Sequence, residues 1–331
     1  MIAKYLRHIL VPGIALLAGL QTSNAQSGIT NIPDTSFSYN SAFAGVKKSN
    51  PEARIPQLNL GDSVSTVKDI VYCTINNHAL KLDVFSPTKY KGKLPALLMI
   101  FGGGWRSGNR TMHWQMAQSI AARGYIVITA DYRLSTEALY PAAVNDLKTA
   151  IKWMRDKSGQ YRIDKDKIAV WGFSAGGQLA ALIGTTANNP LYPGNPGYRI
   201  TSDAVQAVID VDGTLAFVHP ESGEGDESKH PSAGTYWFGA TKAQRRDLWI
   251  EAGPLMHVDK HTPPILFLNS SVDRMHAGRE DMIKKLDSLG GIYHEVHTFK
   301  GAPHSFNMFE PWFTPTLNYS VAFLDKIFKG K

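Results

Sequence analysis

The chain has 331 residues, with 35 Lys and Arg against 28 Asp and Glu; the basic residues form no long run, so it lacks the basic stripe of a nucleic-acid surface. That length supplies one large core, which argues for a single domain with insertions rather than two. The one cysteine, Cys73, excludes an internal disulfide, and in "IVYCTI" it reads as a small buried hydrophobe.

Lys4 and Arg7 precede an apolar run from Ile9 to Leu20 and a polar stretch ending Ser23-Asn24-Ala25. Residues 1–25 therefore read as a signal peptide cut after Ala25, which sends the protein to the periplasm or outside the cell. An apolar run of about 12 residues is too short to span a bilayer, so no stable membrane insertion is expected. No cysteine sits at the cleavage site, which argues against a lipoprotein. Residues 26–60 are rich in Ser, Asn and Pro without a sustained period, and an irregular arm is expected there.

From 61 to 331, short apolar runs alternate with amphipathic ones. Residues 67–73 and 80–84 read as an antiparallel strand pair; 96–101, 125–130, 167–171, 204–211, 264–269 and 295–299 read as buried strands. Helical patterns occupy 112–123, 142–156, 175–186, 279–289 and 316–328. Strand and helix in repeated alternation predict an α/β fold, a mainly parallel sheet with helices on both faces. The longest interruption, 213–261, follows a strand and is a candidate lid or substrate wall.

The sharpest motif is "IAVWGFSAGGQLAAL", in which Gly172-Phe173-Ser174-Ala175-Gly176 sits between a strand and a helix. G-x-S-x-G in that context is a nucleophile elbow: a strained serine at the positive end of a helix, with glycines that avoid clashes on either side. Serine needs a base, and His304 in "TFKGAPHSF" follows the last predicted strand and precedes the closing helix. The imidazole in turn needs a carboxylate, and Asp273 in "PPILFLNSSVDRMHAG" follows the penultimate strand. The order Ser174, Asp273, His304 is that of α/β-hydrolases. Asp210 and Asp212 are rivals that come one strand earlier, and Glu280 falls inside a helix.

Acyl transfer also needs donors for the developing oxyanion, and "FGGGW" follows the third strand, where such a loop belongs. The expected donors are the amides of Gly103, Gly104 and Ala175. A phosphate cradle is disfavoured, because neither G-K-[ST] nor G-x-G-x-x-G accompanies the glycines. No residue set has metal-ligand spacing, so neither a metal nor an organic cofactor is expected.

Taken together, "FGGGW", "ADYRLS", "YPAAVNDLKTAIKWM", "IDKDKIAVWGFSAGGQLAAL", "PPILFLNSSVD" and "GAPHSF" resemble the bacterial acetyl-xylan and feruloyl esterase-like α/β-hydrolases, near the hormone-sensitive-lipase-like esterases. The resemblance covers roughly residues 69–329 and implies the α/β-hydrolase fold and serine esterase chemistry. With an extracellular destination and Trp105 directly behind the glycine loop as a candidate wall for sugar faces, it implies deacetylation of a plant polysaccharide or oligosaccharide such as xylan or pectin. The alternatives are a feruloyl or broad carboxylesterase, a serine exopeptidase, disfavoured without a propeller domain, and a non-catalytic binding protein, disfavoured because a complete triad is on offer. The departure is Phe101, where the family usually has a histidine bracing the loop. Because hole donors are backbone amides, Phe101→Ala should weaken ester hydrolysis without abolishing it, whereas Ser174→Ala should abolish it; initial rates of the folded variants check this.

Overall fold

The computed structural model describes residues 28–198, 201–225 and 230–330, so the expected signal peptide lies outside the described residues. Eight strands form one sheet: β1 (Val64–Ile75), β2 (His78–Pro87), β3 (Leu94–Ile100), β4 (Ile126–Ala130), β5 (Ile163–Phe173), β6 (Ala207–Val211), β7 (Ile265–Asn269) and β8 (His294–Thr298). Their order is β1-β2-β4-β3-β5-β6-β7-β8. The β1–β2 hairpin joins antiparallel, and every pairing from β4 to β8 is parallel. β4, β6 and β7 are buried along their whole length, which is why they read as apolar runs rather than as alternations. At the edge, β8 has no fully buried residue.

Nine helices accompany the sheet among the described residues: α1 (Tyr39–Ser49), α2 (Trp114–Ala121), α3 (Ala142–Asp156), α4 (Ala175–Thr185), α5 (Ala233–Phe238), α6 (Arg246–Glu251), α7 (Pro254–His257), α8 (Arg279–Ser288) and α9 (Phe313–Lys329). α2 packs on α9, and α3 on α4. The insertion at 213–261 contributes α5, α6 and α7 at the carboxyl end of β6, and no described helix is long and apolar enough to cross a membrane.

The 26–60 segment is not wholly irregular, contrary to expectation, because α1 forms within it. Ser38 caps the helix and Ser41 answers it, a reciprocal pair that satisfies two amides of the first turn. Tyr39, Ala42, Phe43 and Val46 share one face; Ala42 and Val46 are buried, and both aromatic rings meet Phe309 at 5.1 Å. An 11-residue helix is marginal alone, so this docking stabilises it.

The glycine loop after β3 is braced by rings and charges. Phe101 stacks on Tyr132 with centroids 4.3 Å apart, and the Tyr132 hydroxyl donates to the Phe101 carbonyl at 3.0 Å. Arg106 ties the same loop to the arm, donating to Asp34 and to the Gly28 carbonyl, each at 3.0 Å, while its guanidinium lies over the Tyr236 ring of α5. Phenylalanine at 101 thus gives up a polar ring, and Tyr132 supplies the polar contact from β4's far side. Tyr132→Phe keeps the stack and removes the donor from a buried carbonyl; urea unfolding should show a loss of about 1 kcal/mol.

Candidate active site

β5 ends at Phe173 and α4 begins at Ala175, leaving Ser174 as the single residue between them. Its φ of 57° is a conformation side chains adopt at a cost, and it lifts the hydroxyl above the carboxyl edge of the sheet. The strain is sustained by close backbone approach: a Cβ at Gly102 would lie 2.7 Å from the Phe173 carbonyl and 2.8 Å from Ser174 Cβ. Only glycine lets the loop press that closely on the elbow.

His304 Nε2 lies 2.8 Å from Ser174 Oγ, and His304 Nδ1 lies 2.9 Å from Asp212 Oδ2. The imidazole side chain is 28% exposed and the Asp212 carboxylate is fully buried, so the pair meets solvent on one side and protein on the other. The other Asp212 oxygen accepts the Ser270 amide at 2.7 Å. His304 therefore has a carboxylate behind one ring nitrogen and a serine in front of the other, the arrangement that fixes a tautomer.

That carboxylate is Asp212 and not Asp273, which corrects the sequence-based expectation. Asp212 directly follows β6, and its φ of 53° turns the carboxylate toward His304. The chain leaving β7 is tied to the segment before His304 without bringing Asp273 to the imidazole. Ser271 bonds the Ala302 and Phe299 carbonyls, and Asp273 then opens a 3₁₀ turn, Asp273–His276, with its own side chain exposed while Met275 and His276 are buried. Chain order alone could not separate the two, since both aspartates follow strands and precede His304. The missed signal was "DVDG": an acid directly after a buried strand, followed by a glycine that permits the tight turn.

Beside Ser174 is a cavity of ≈ 30 Å³, lined also by Gly104, Trp105, Ala175, Thr214, Glu224 and Met275. Larger clefts of ≈ 580 and ≈ 390 Å³ have none of Ser174, His304 or Asp212 in their walls. In the glycine loop the Gly103 carbonyl accepts the amides of Arg106 and Ser107, at 3.1 and 3.0 Å. Because a trans peptide places its N–H opposite its carbonyl, the Gly104 amide faces away from that turn. Gly104 and Ala175 line the cavity with Ser174, and Gly103, at φ 126°, directly precedes Gly104 in the loop.

Trp105 is only 4% exposed. Its indole donates to Gln178 Oε1 at 2.9 Å and stacks on Trp237 with centroids 4.7 Å apart, so it is mainly a buried support with one edge on the cavity. His113, under the elbow, lies edge-on to Trp171 and Phe173; burial pushes its pKa down to about 3 and keeps it neutral. No group of three or more His, Cys, Asp or Glu suited to a metal occurs among the described residues.

Residues 82–279 match the BD-FAE family. Among curated relatives, the esterase LipC of Mycobacterium tuberculosis is 27% identical over 257 residues, 74% of this chain and 60% of LipC's own length. Two solved structures share the fold. A truncated carbohydrate esterase from gut microbiota superposes with a TM-score of 0.67 at 22% identity, over 82% of this chain and all of that one. The butyrate-bound esterase of the planctomycete Thermogutta terrifontis superposes with a TM-score of 0.64 at 26% identity, over 80% and 95% of the two chains. The sheet order, the strained serine at the β5–α4 junction and the family match agree: the chain has the α/β-hydrolase fold and belongs to the BD-FAE family.

Proposed function

We propose that this protein is a secreted serine esterase that removes small acyl groups, acetyl foremost, from plant cell-wall polysaccharide. The chemistry rests on the relay Ser174–His304–Asp212, at 2.8 and 2.9 Å. The Ser174 oxygen attacks the ester carbonyl carbon while His304 Nε2 takes its proton, and Asp212 stabilises the resulting imidazolium. The carbonyl oxygen becomes an anion facing the amides of Gly103, Gly104 and Ala175. On collapse the sugar alkoxide leaves with the proton from His304, and Ser174 holds the acyl group. Water then attacks the acyl-enzyme with the same base, and the acid departs.

The observation that carries the substrate reading is the cavity beside Ser174. At ≈ 30 Å³ the space beside Ser174 suits a small acyl group such as acetyl, which favours that group over a bulky aromatic one. The partly exposed His304 imidazole, 28% accessible, is consistent with a leaving alcohol that stays in solvent as part of a polymer. The related gut carbohydrate esterase supports a sugar ester, and the butyrate-bound planctomycete enzyme supports a short acyl chain. LipC and the planctomycete enzyme, described only as esterases, support a second reading, a carboxylesterase for simple short-chain esters.

The test is acetate release from acetylated xylan and pectin beside p-nitrophenyl esters of increasing acyl length. The proposal expects acetate from at least one polymer and rates that fall steeply beyond short acyl chains; preference for long or feruloyl esters would overturn it. Activity on p-nitrophenyl acetate with none on either polymer would favour the second reading.

The assignment of the acid is tested separately. Asp212→Asn should lower kcat by about 10⁴-fold, as removing the carboxylate of such a triad does. Asp273→Asn, at an exposed position, should change it by less than about threefold. Steady-state kinetics on p-nitrophenyl acetate compares the two.

A further inference from the structure

Two residues before Asp212, at the end of β6, a second carboxyl is buried completely, and the mechanism above makes no use of it. Asp210 Oδ1 accepts the Gly213 amide at 2.8 Å, closing the turn on which Asp212 rides. The same oxygen faces the first turn of α4, where a Cβ at Gly177 would run into it. Asp210 Oδ2 has no hydrogen-bond partner among the described residues. Asp212 differs on this point, since the Ser270 amide and His304 occupy both of its oxygens.

We propose that Asp210 is a neutral carboxylic acid wedged between the nucleophile helix and the Asp212 turn, and that it is a positioning residue for the Asp212–His304 pair. An ionised, fully buried oxygen without a donor is far costlier than a protonated one. Two adjacent carboxylates cannot both stay charged cheaply, so the single proton goes to the one whose oxygen lacks a donor. Burial and the charge of Asp212 push the Asp210 pKa well above the carboxylate range. The Gly213 amide and the Arg279 guanidinium of α8 pull the other way, and Arg279 is engaged with Asn269 and Glu280. Other titratable groups of the cluster are His304 and His276, both beside Asp212, and Asp273, which acts on His276. Asp210 in its neutral form holds the turn through Gly213 without adding a second negative charge behind the imidazole.

This inference rests on the esterase reading for its kinetic arm only, because its thermal arm needs no activity. The sign follows from proton counting. In the pH range where the unfolded chain has released the Asp210 proton and the fold retains it, the native state binds more protons, so wild-type stability falls as pH rises. Asp210→Asn mimics the neutral acid and lacks that slope. The melting temperature of Asp210→Asn relative to wild type should therefore climb between about pH 4.5 and about pH 7. A constant or narrowing difference would show that Asp210 is ionised and overturn the proposal.

Kinetically, Asp210→Asn should keep kcat on p-nitrophenyl acetate within about threefold, with the acid limb of kcat/KM unmoved. Loss of a working negative charge would instead move that limb down by about half a pH unit or more, and would overturn the proposal. Asp210→Ala leaves the Gly213 amide without its partner. Its kcat should drop by about tenfold to a hundredfold, with KM held and the acid limb lowered as Asp212 loosens behind His304. Wild-type kinetics in a folded Asp210→Ala would exclude a positioning role; if that variant does not fold, the Asp210→Asn profiles decide. A wild-type enzyme inactive on every ester would defeat the esterase reading, and the thermal difference would still decide whether Asp210 is neutral.

Discussion

Everything at this site depends on how closely three backbones approach one another beneath Ser174. The loop after β3, the end of β5 and the first turn of α4 meet at Gly102 and Gly176, where an added Cβ would collide with the carbonyls of Phe173 and Phe101. That contact holds Ser174 at a positive φ, and the rest of the fold braces it. β5 is flanked by β3 and β6, so the elbow stands at the middle of the sheet, where neighbours on both sides resist relaxation. Tyr132, Arg106 and the N-terminal arm hold the loop from above.

The electrostatics follow the same economy. One buried negative charge, Asp212, is fully hydrogen-bonded and paired to His304. Its neighbour Asp210 has one oxygen bonded and the other without a partner among the described residues, which makes it the place for a proton. In the proposed reaction the cavity of ≈ 30 Å³ beside Ser174 receives the acyl group, on the solvent-facing side of a partly exposed imidazole.

Much of this was legible in the chain, and the parts that were not share a cause. The helix expected at 142–156 has those bounds in the structure as α3, and the strand expected at 264–269 differs from β7 by one residue, because their periodicity reflects burial directly. α1 went unseen because its apolar face, Tyr39 to Val46, lies among Ser, Asn and Pro, and gains its stability from Phe309 far along the chain. Trp105, expected as a sugar wall beside the glycines, is held by Gln178 and Trp237 and keeps an edge on the cavity.

By itself the sequence determined the α/β architecture, the elbow around Ser174 and the position of His304 after the last strand, since each is written in local pattern and chain order. It could not choose between Asp212 and Asp273. Both follow strands at the same sheet edge, and the choice turns on a backbone torsion of 53° at one and a 3₁₀ turn that leaves the aspartate exposed at the other. The oxygen that reaches His304 is decided by the direction in which each loop leaves its strand, which side chains from distant segments impose. Local pattern records what is buried; only the folded chain records where a buried group points.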